Sequence, residues 1–392
     1  MVTDMAGAHT PRCLLAALVL GAVLSACVPP PLGDSEAELA LEDLASGDGT
    51  SRLKAQTPQP SRQTLRYPVA DELRSADLYL SPAGARAGIV LVPGIVAQGK
   101  DDPRLVAMAR TLARLRFAVL VPAMPGVRRY QVRARDVREV ADAFAYLVSR
   151  PELAPPGHAG VAGFSYGAGP VIIAALQPDI RERVSFVLAV GGYYSLDNVV
   201  NYFTTGRYRR PAGAGGDGQL RLGYRPPLPY IKWAFIRSNL DLLEEPADRA
   251  FLSDYADQVM RGAMPDEEPL PAGLAADARA VYKLLINDDP VRVTALIARL
   301  PPRIRRELEG VNPAAHALSQ LQARLILLHG RRDNMIPYTE SIALANALPA
   351  DRVQLFLIDG LVHVDLRPSA RDIPQLVAAM QALLAERAST RE

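Results

Sequence analysis

The chain has 392 residues, a formal net charge of +2 and two cysteines, Cys13 and Cys27. A net charge near zero argues against nucleic acid as a partner. Both cysteines lie near the amino terminus, which leaves no pair for a disulfide within the folded part. Because the sequence has neither metal-ligand cysteine pairs nor a GxxxxGK phosphate loop, we expect no cofactor and no metal.

An uncharged apolar stretch over residues 13–24 is typical of a secretory leader and is too short to span a membrane. It ends in Leu-Ser-Ala-Cys at 24–27, which resembles the lipobox of bacterial lipoproteins. The resemblance implies a signal peptide over residues 1–26 and a lipid on Cys27. Val28, where an aspartate would favour the inner membrane, predicts an outer-membrane protein of the bacterial envelope that faces the periplasm. An ordinary leader with an incidental cysteine remains the alternative.

Residues 27–62 are rich in proline, acidic and small polar residues and show no sustained apolar period. They predict a flexible tether in which only residues 37–45 could form a short helix. The remaining roughly 330 residues are long for a single domain, so either one core with a large insertion or two domains is expected.

Short apolar runs alternate with helical patterns from about residue 86 onward, which predicts an α/β fold with a mostly parallel sheet. The runs are continuously apolar, as expected for strands covered on both faces. They are residues 88–92, 117–121, 160–164, 184–190, 324–328 and 353–358. The helical patterns are residues 103–115, 132–149, 167–176, 338–347 and 372–387. Two leading strands, 64–68 and 76–80, are predicted to be antiparallel at the edge.

The alternation breaks after Val190, because the next convincing strand begins only at Arg324. The residues between read as helices and loops and are too many for a plain connection. We therefore predict a mainly helical cap at 198–319, inserted over the strand ends of a core formed by residues 63–197 and 320–392.

The sequence GFSYG at 163–167 stands where a predicted strand ends and a helix begins. Glycines on both sides of Ser165 suit a strained turn that lifts a nucleophile above the sheet edge, and the following helix offers backbone amides to a negative charge. Packing of the helix on the strand is the alternative explanation of the glycines. Pro170 removes an amide near the first turn and predicts a distorted start to this helix.

A catalytic serine needs a histidine to take its proton and an acid to orient that histidine. His363 follows the last predicted strand at the same sheet edge as Ser165, and we predict it as the base. Asp333 follows the preceding strand at that edge and is the predicted acid, with Asp197 as the competitor. An Asx turn or a helix cap is the alternative explanation of Asp333.

Three further histidines lie at positions that do not suit a catalytic base. Two further acids lie too close to His363 in the sequence to orient it. His158 precedes the serine's strand, His316 lies in the tail of the insertion, and His329 suits a packing or loop role. Asp359 and Asp365 are too near His363 in the chain to reach around its ring.

The order Ser165, Asp333, His363 and the strand pattern together resemble the alpha/beta hydrolase family over residues 64–390. The resemblance implies an oxyanion hole from the backbone amides of Tyr166 and Ile95, although the loop carries Pro-Gly where many members have His-Gly. Family members that use aspartate or cysteine at the elbow are excluded by the serine. The resemblance therefore implies cleavage of an ester, a thioester or an amide, and we expect a small-molecule carboxylic ester as the default substrate.

The insertion offers five aromatic residues for an acyl group, although each is more readily explained as core of the cap: Tyr202, Phe203, Tyr230, Trp233 and Phe235. Five arginines surround a glycine-rich segment at 212–218, namely Arg207, Arg209, Arg210, Arg221 and Arg225. A solvated loop is the default explanation, and contact with anionic lipid head groups is the alternative. A catalytically inactive envelope binding protein and a serine peptidase or amidase of the same fold remain open.

Overall fold

The structure is a computed structural model that describes residues 33–210, 222–228, 231–262, 273–366 and 368–388. The predicted signal peptide, Cys27, the glycine-rich segment, Arg221 and Tyr230 lie outside the described residues.

A central sheet of eight strands has the order β1-β2-β4-β3-β5-β6-β9-β10, and two short two-stranded pairs, β7-β8 and β11-β12, lie beside it. The described strands are β1 (Ser61–Val69), β2 (Glu72–Leu80), β3 (Ala87–Val92), β4 (Phe117–Pro122), β5 (Ala159–Phe164), β6 (Phe186–Val190), β7 (Arg207–Arg209), β8 (Leu222–Tyr224), β9 (Arg324–Gly330), β10 (Val353–Ile358), β11 (Leu361–Val362) and β12 (Asp365–Leu366). In the central sheet β2 is antiparallel to both of its neighbours, and the other pairs are parallel. The predicted mostly parallel sheet with leading antiparallel strands is confirmed.

Helices pack on both faces of this sheet, which is why β3 and β4 are buried along their whole length. The described helices are α1 (Glu36–Ser46), α2 (Arg52–Gln56), α3 (Pro103–Arg114), α4 (Pro125–Arg128), α5 (Arg135–Val148), α6 (Ala168–Ala174), α7 (Leu196–Thr205), α8 (Ile231–Arg237), α9 (Pro246–Met260), α10 (Ala276–Leu285), α11 (Val293–Ile297), α12 (Pro302–Gly310), α13 (Thr339–Asn346) and α14 (Ile373–Leu384). One apolar core lies between the sheet and α5, α6 and α13, and a second lies between the opposite face and α1, α3 and α14. Within the described part of the chain, no helix is both long and apolar enough to cross a membrane.

Helices α1 and α2 correct the prediction of a flexible tether over residues 27–62 in its described part, and the short helix considered at 37–45 is present as α1. Helix α1 buries Ala37, Leu39 and Ala40 in the core that it shares with α3 and α14, and α2 adds Leu53. Ser51 and Thr111 also donate hydrogen bonds to one buried carboxylate, that of Asp43. Small apolar side chains at helical spacing are enough to fill the groove between two helices, although they give only a weak apolar period in the sequence.

The insertion between β6 and β9 contains helices α7 to α12 and the short pair of strands β7 and β8, which the sequence did not predict. It has an apolar core of its own around Trp233, Leu252 and Tyr282. The ring of Trp233 lies 4.9 Å from the ring of Tyr255, so this tryptophan belongs to the interior of the insertion. The insertion is therefore a folded unit.

Candidate active site

The turn after β5 holds Ser165 in the left-handed region, with a backbone φ of 52°. A 3-10 turn from Ser165 to Gly167 follows, and α6 begins only at Ala168, so the start of this helix is distorted near Pro170. A Cβ at Gly163 would lie 2.4 Å from the carbonyl oxygen of Gly167, and a Cβ at Gly167 would lie 2.5 Å from that of Pro93. Both glycines are therefore required for close backbone approach within a turn that exposes the serine.

The three predicted polar side chains lie together at the carboxyl edge of the sheet. The Oγ of Ser165 is 2.8 Å from Nε2 of His363, and Nδ1 of His363 is 2.9 Å from Oδ2 of Asp333. His363 occupies the turn between β11 and β12 with a φ of 54°, and Asp333 lies in the loop after β9. In this arrangement Nδ1 donates to the carboxylate, which leaves Nε2 free to accept the proton of the serine hydroxyl.

Four donors surround the buried carboxylate of Asp333. Its Oδ1 accepts hydrogen bonds from the backbone amides of Met335 and Ile336 at 2.7 and 2.9 Å. Its Oδ2 accepts from His363 and lies 3.3 Å from Nε2 of His329. Burial raises the pKa of this carboxyl, but the charge of His363 and the hydrogen bonds from both rings outweigh burial, so the pKa lies well below its usual value. Asp333 is therefore anionic across the neutral range and is oriented by both of its oxygens.

His329 has a defined part in this environment that the sequence did not reveal. Its fully buried ring lies 3.0 Å, through Nε2, from the carbonyl oxygen of Ile336, so Nε2 must be the protonated nitrogen. Nδ1 then accepts a hydrogen bond from the hydroxyl group of Ser341, with an Nδ1 to Oγ distance of 2.7 Å. The ring thus presents an N–H to the loop that holds Asp333. A histidine four residues before the acid is the only signal for this contact in the sequence, and it is a weak one.

The other candidate histidines and acids lie elsewhere. His158 contacts the carbonyl oxygen of Glu386, and His316 contacts that of Glu309. Asp197 is exposed near the start of α7, while Asp359 and Asp365 pair with arginines. None of these side chains contacts Ser165 or His363 among the described residues.

The loop after β3 lies directly against the nucleophile. A Cβ at Gly94 would be 3.1 Å from Cβ of Ser165, and the next amide, that of Ile95, donates no hydrogen bond within the described part of the chain. Tyr166 is in the first turn of the helical segment, where backbone N–H groups lack intrahelical acceptors. The two predicted oxyanion donors, Ile95 and Tyr166, are therefore adjacent in sequence or space to Ser165.

The side chain of Tyr166 points away from the serine into the protein and was not predicted to matter. Its hydroxyl donates to Oδ2 of Asp136 at 2.6 Å and accepts from the backbone N–H of Arg133 at 3.2 Å. Asp136 is fully buried, and its Oδ1 has no hydrogen-bond partner among the described residues. Burial, and to a smaller extent the charge of Glu139, raise the pKa of Asp136 to about 7 against the hydrogen bond from Tyr166.

Two side chains of the insertion donate hydrogen bonds to the acid loop in the described part of the chain. Arg225 donates to the carbonyl oxygen of Asp333, and the hydroxyl of Tyr202 donates to that of Asn334 at 3.3 Å. Tyr202 is buried, as is Trp233, so both are packed inside the protein. Phe203 and Phe235 are half-buried with ring centroids 6.0 Å apart and remain candidates for an acyl-binding surface. Three of the remaining arginines, Arg207, Arg209 and Arg210, are exposed.

Within the described ranges no group of three or more His, Cys, Asp or Glu side chains is arranged to hold a metal ion. The residues brought together at the elbow are instead those of nucleophilic catalysis: a hydroxyl, an imidazole, a carboxylate and backbone donors.

No family model and no curated protein matches the chain. Among solved structures, a Legionella pneumophila protein described as a candidate hydrolase is 14% identical with a TM-score of 0.55, and the match covers 91% of this chain and 96% of that one. A Pyrococcus horikoshii acylaminoacyl peptidase is 13% identical with a TM-score of 0.48; the match covers 86% of this chain but only 43% of the peptidase. A dienelactone hydrolase-like promiscuous phosphotriesterase from metagenomic libraries is 12% identical with a TM-score of 0.43, over 84% of this chain and 99% of that one.

This chain spans less than half the length of the acylaminoacyl peptidases that it matches. At sequence identities this low, the similarity concerns the backbone fold alone and carries no information about substrates. The agreement over nearly the full length of the Legionella protein, together with the strand order of the central sheet, shows that the chain has an alpha/beta hydrolase fold.

Proposed function

We propose that the protein is a serine hydrolase that cleaves a carboxylic ester, or a thioester, through an acyl-enzyme on Ser165. The observation that carries the proposal is the unbroken hydrogen-bonded series from Ser165 through His363 to Asp333. A serine with only a structural role would not require a histidine partner that is itself hydrogen-bonded to a buried carboxylate. The same geometry argues against an inactive binding protein, because each contact has the length that proton transfer requires.

In the first half of the reaction, Oγ of Ser165 attacks the carbonyl carbon while its proton moves to Nε2 of His363. Asp333 keeps Nδ1 protonated and stabilises the imidazolium that forms. The amides of Ile95 and Tyr166 stabilise the negative charge on the carbonyl oxygen. The imidazolium then protonates the leaving alcohol, and the acyl group stays on Ser165. Water, activated by His363, releases the acid in the second half.

An ester is preferred over an amide because an alcohol leaves more readily than an amine. A serine peptidase or amidase of the same fold uses identical groups at the elbow, so the triad alone does not separate the two. The half-buried pair Phe203 and Phe235 supports an apolar acyl group in the insertion.

The proposal is tested with the purified full-length chain, a panel of chromogenic esters of increasing acyl length, the matching thioesters and anilides, and a fluorophosphonate probe. We expect the probe to label Ser165 and at least one ester to be cleaved, and Ser165→Ala to abolish both at an unchanged melting temperature. Ser185→Ala is the matched control, because Ser185 precedes β6 at the opposite sheet edge. A native chain that is neither labelled nor active would overturn the proposal, and preference for anilides would favour the amidase.

We also propose that the protein is attached to the bacterial outer membrane, facing the periplasm, through a lipid on Cys27. The support is the lipobox-like sequence at 24–27, which lies outside the described residues. The membrane is then a partner of the amino terminus, and the substrate is a small molecule.

A further inference from the structure

The residue after the nucleophile, Tyr166, is fixed at both ends. Its backbone amide is one of the two proposed oxyanion donors, and its hydroxyl is buried between the carboxylate of Asp136 and the backbone N–H of Arg133. The aromatic ring is rigid, so the position of the hydroxyl constrains the direction of the amide. Whatever moves residue 133 therefore also acts on the oxyanion hole.

Residue 133 belongs to a short loop, residues 130–134, that precedes α5 and is held by the insertion. The guanidinium of Arg133 donates to both carboxylate oxygens of Asp241 at 2.7 and 2.8 Å, and it also donates to Asn239. The side-chain oxygen of Asn239 accepts from the backbone N–H of Val132 at 3.0 Å, and its amide nitrogen donates to the carbonyl oxygen of Tyr130. Two neighbouring residues of the insertion thus bind three residues of the loop.

A second element of the insertion holds the same loop. Oε2 of Glu307, on α12, accepts from the backbone N–H of Ala134 at 2.7 Å. Residues 132, 133 and 134 are therefore bound in succession by groups more than 100 positions away in the chain. This concentration of long-range polar contacts at the loop that touches Tyr166 is the basis of the inference.

The ion pair is poorly explained as a source of folding stability. The side chain of Asp241 is 54% exposed, and ion pairs with an exposed partner contribute little to stability. The orientation of the guanidinium is nevertheless fixed, because Nη2 contacts both oxygens of Asp241 while Nη1 donates to Asn239. The side chain of Arg133 is only 8% exposed, so fixing its orientation also fixes the buried backbone of residue 133, which contacts Tyr166.

We propose that Asp241, Arg133 and Tyr166 form a positioning relay through which docking of the insertion orients the oxyanion donor at Tyr166. The proposal rests on the proposed hydrolase function and deepens it, because it makes the insertion a determinant of turnover. None of the three side chains touches the reacting atoms. They are positioning residues, and they act through the direction of one backbone N–H.

The relay predicts an effect on kcat and not on KM. An oxyanion donor is engaged only as charge develops on the carbonyl oxygen, so its misorientation raises the transition state without weakening ground-state binding. Complete loss of one donor lowers kcat by about 10²- to 10³-fold, and a tilt of the amide should lower it by about 3- to 30-fold.

The test compares Asp241→Asn, Tyr166→Phe and the double variant in the full-length chain, with an ester identified in the panel. We expect each single variant to lower kcat by about 3- to 30-fold at a KM within about twofold of the native value. We expect the double variant to be no slower than the slower single variant, because both changes interrupt one route. The second-order rate of fluorophosphonate labelling should fall in parallel.

Asp257→Asn is the matched control. It removes a carboxylate that pairs with Arg237 at 2.6 Å within the insertion but does not contact the loop at 130–134. We expect its kcat to stay within about twofold of the native value, whereas a general loosening of the insertion would lower kcat in all three single variants.

The outcomes separate this inference from the proposed function. The relay alone is overturned if the native chain is active and labelled but the variants show one of three results. These are an unchanged kcat, an effect confined to KM, or losses of kcat that multiply in the double variant. A native chain that is neither active nor labelled overturns the proposed function and the relay with it.

Discussion

Asp136→Asn should change how the stability of the protein depends on pH. The native carboxyl is fully buried on α5, with one oxygen bonded to Tyr166 and the other without a partner in the described residues. Its pKa is raised from 3.8 to about 7, chiefly by burial and also by Glu139, against the opposing Tyr166 hydrogen bond and the charge of Arg135. Asparagine has the same shape and does not ionise.

The sign follows from proton linkage. The folded state holds the proton of Asp136 more tightly than the unfolded state, so the stabilisation is fully present below about pH 4 and is lost as the pH rises to about 7. A difference of about three pH units corresponds to about 4 kcal/mol, and this is an upper bound for a buried group. We therefore expect the free energy of unfolding of Asp136→Asn, relative to that of the native chain, to increase by up to about 4 kcal/mol between pH 4 and pH 8.

The assay is urea unfolding followed by far-UV circular dichroism at half-unit intervals from pH 4 to pH 8.5. Any constant cost of the amide cancels, because only the change of the difference with pH is used. Asp254→Asn, which alters an exposed carboxylate on α9, is the control and should track the native chain. If Asp136→Asn also tracks the native chain across this range, the buried carboxyl costs nothing on ionisation and the reasoning is refuted.

Three further outcomes follow from the site and the sequence. Asp333→Asn should lower kcat by about 10³- to 10⁴-fold in the ester assay because the histidine loses its correct tautomer, and Asp197→Asn should stay within about twofold; reversed results would move the acid to α7. Gly163→Val should lower the melting temperature and prevent probe labelling, because even a Cβ would lie 2.4 Å from a carbonyl oxygen, whereas Gly273→Ala, which has open space, should do neither. Cys27→Ser should move the protein from the membrane fraction to the soluble fraction or block its processing, and unchanged partition would count against the lipid.

The features that the sequence predicted well are those encoded by neighbouring residues. Continuous apolar runs located the interior strands, because a strand covered on both faces carries apolar side chains on both. The spacing of Gly163, Ser165 and Gly167 identified the turn, since its steric requirement lies within five residues. The chain order of Asp333 and His363 placed both at one sheet edge, because parallel strands end at the same edge.

The features that it missed depend on contacts across long stretches of chain. Tyr166 meets Asp136 from 30 positions away, and Arg133 meets Asp241 from 108 positions away. The first pair is set by how α5 packs beside the serine's turn and the second by how the insertion docks, and no local period encodes either arrangement. The packing of helix α1 was missed for a related reason, although a short helix at 37–45 was expected. Ala37, Leu39 and Ala40 form an apolar face only when α3 and α14 supply the other walls of the groove. His329 is similar, because the partners of its ring come together only when the loop after β9 folds.

The position of α1 predicts which way the site faces if Cys27 carries lipid. Glu36 pairs with Arg387, whose guanidinium also donates to the carbonyl oxygen of Leu115, just before β4. The start of α1 therefore lies at the amino edge of the parallel strands, opposite the carboxyl edge that carries Ser165.

Fully extended, the chain between Cys27 and Glu36 reaches about 30 Å, which keeps this amino edge near the bilayer and turns the triad away from it. Lipidated protein in vesicles should then cleave a water-soluble ester as fast as Cys27→Ser cleaves it in solution. It should gain nothing on an ester lipid placed in its own bilayer. Faster cleavage of that lipid by the anchored form than by Cys27→Ser would show that the site faces the membrane, and the orientation derived from α1 would be wrong.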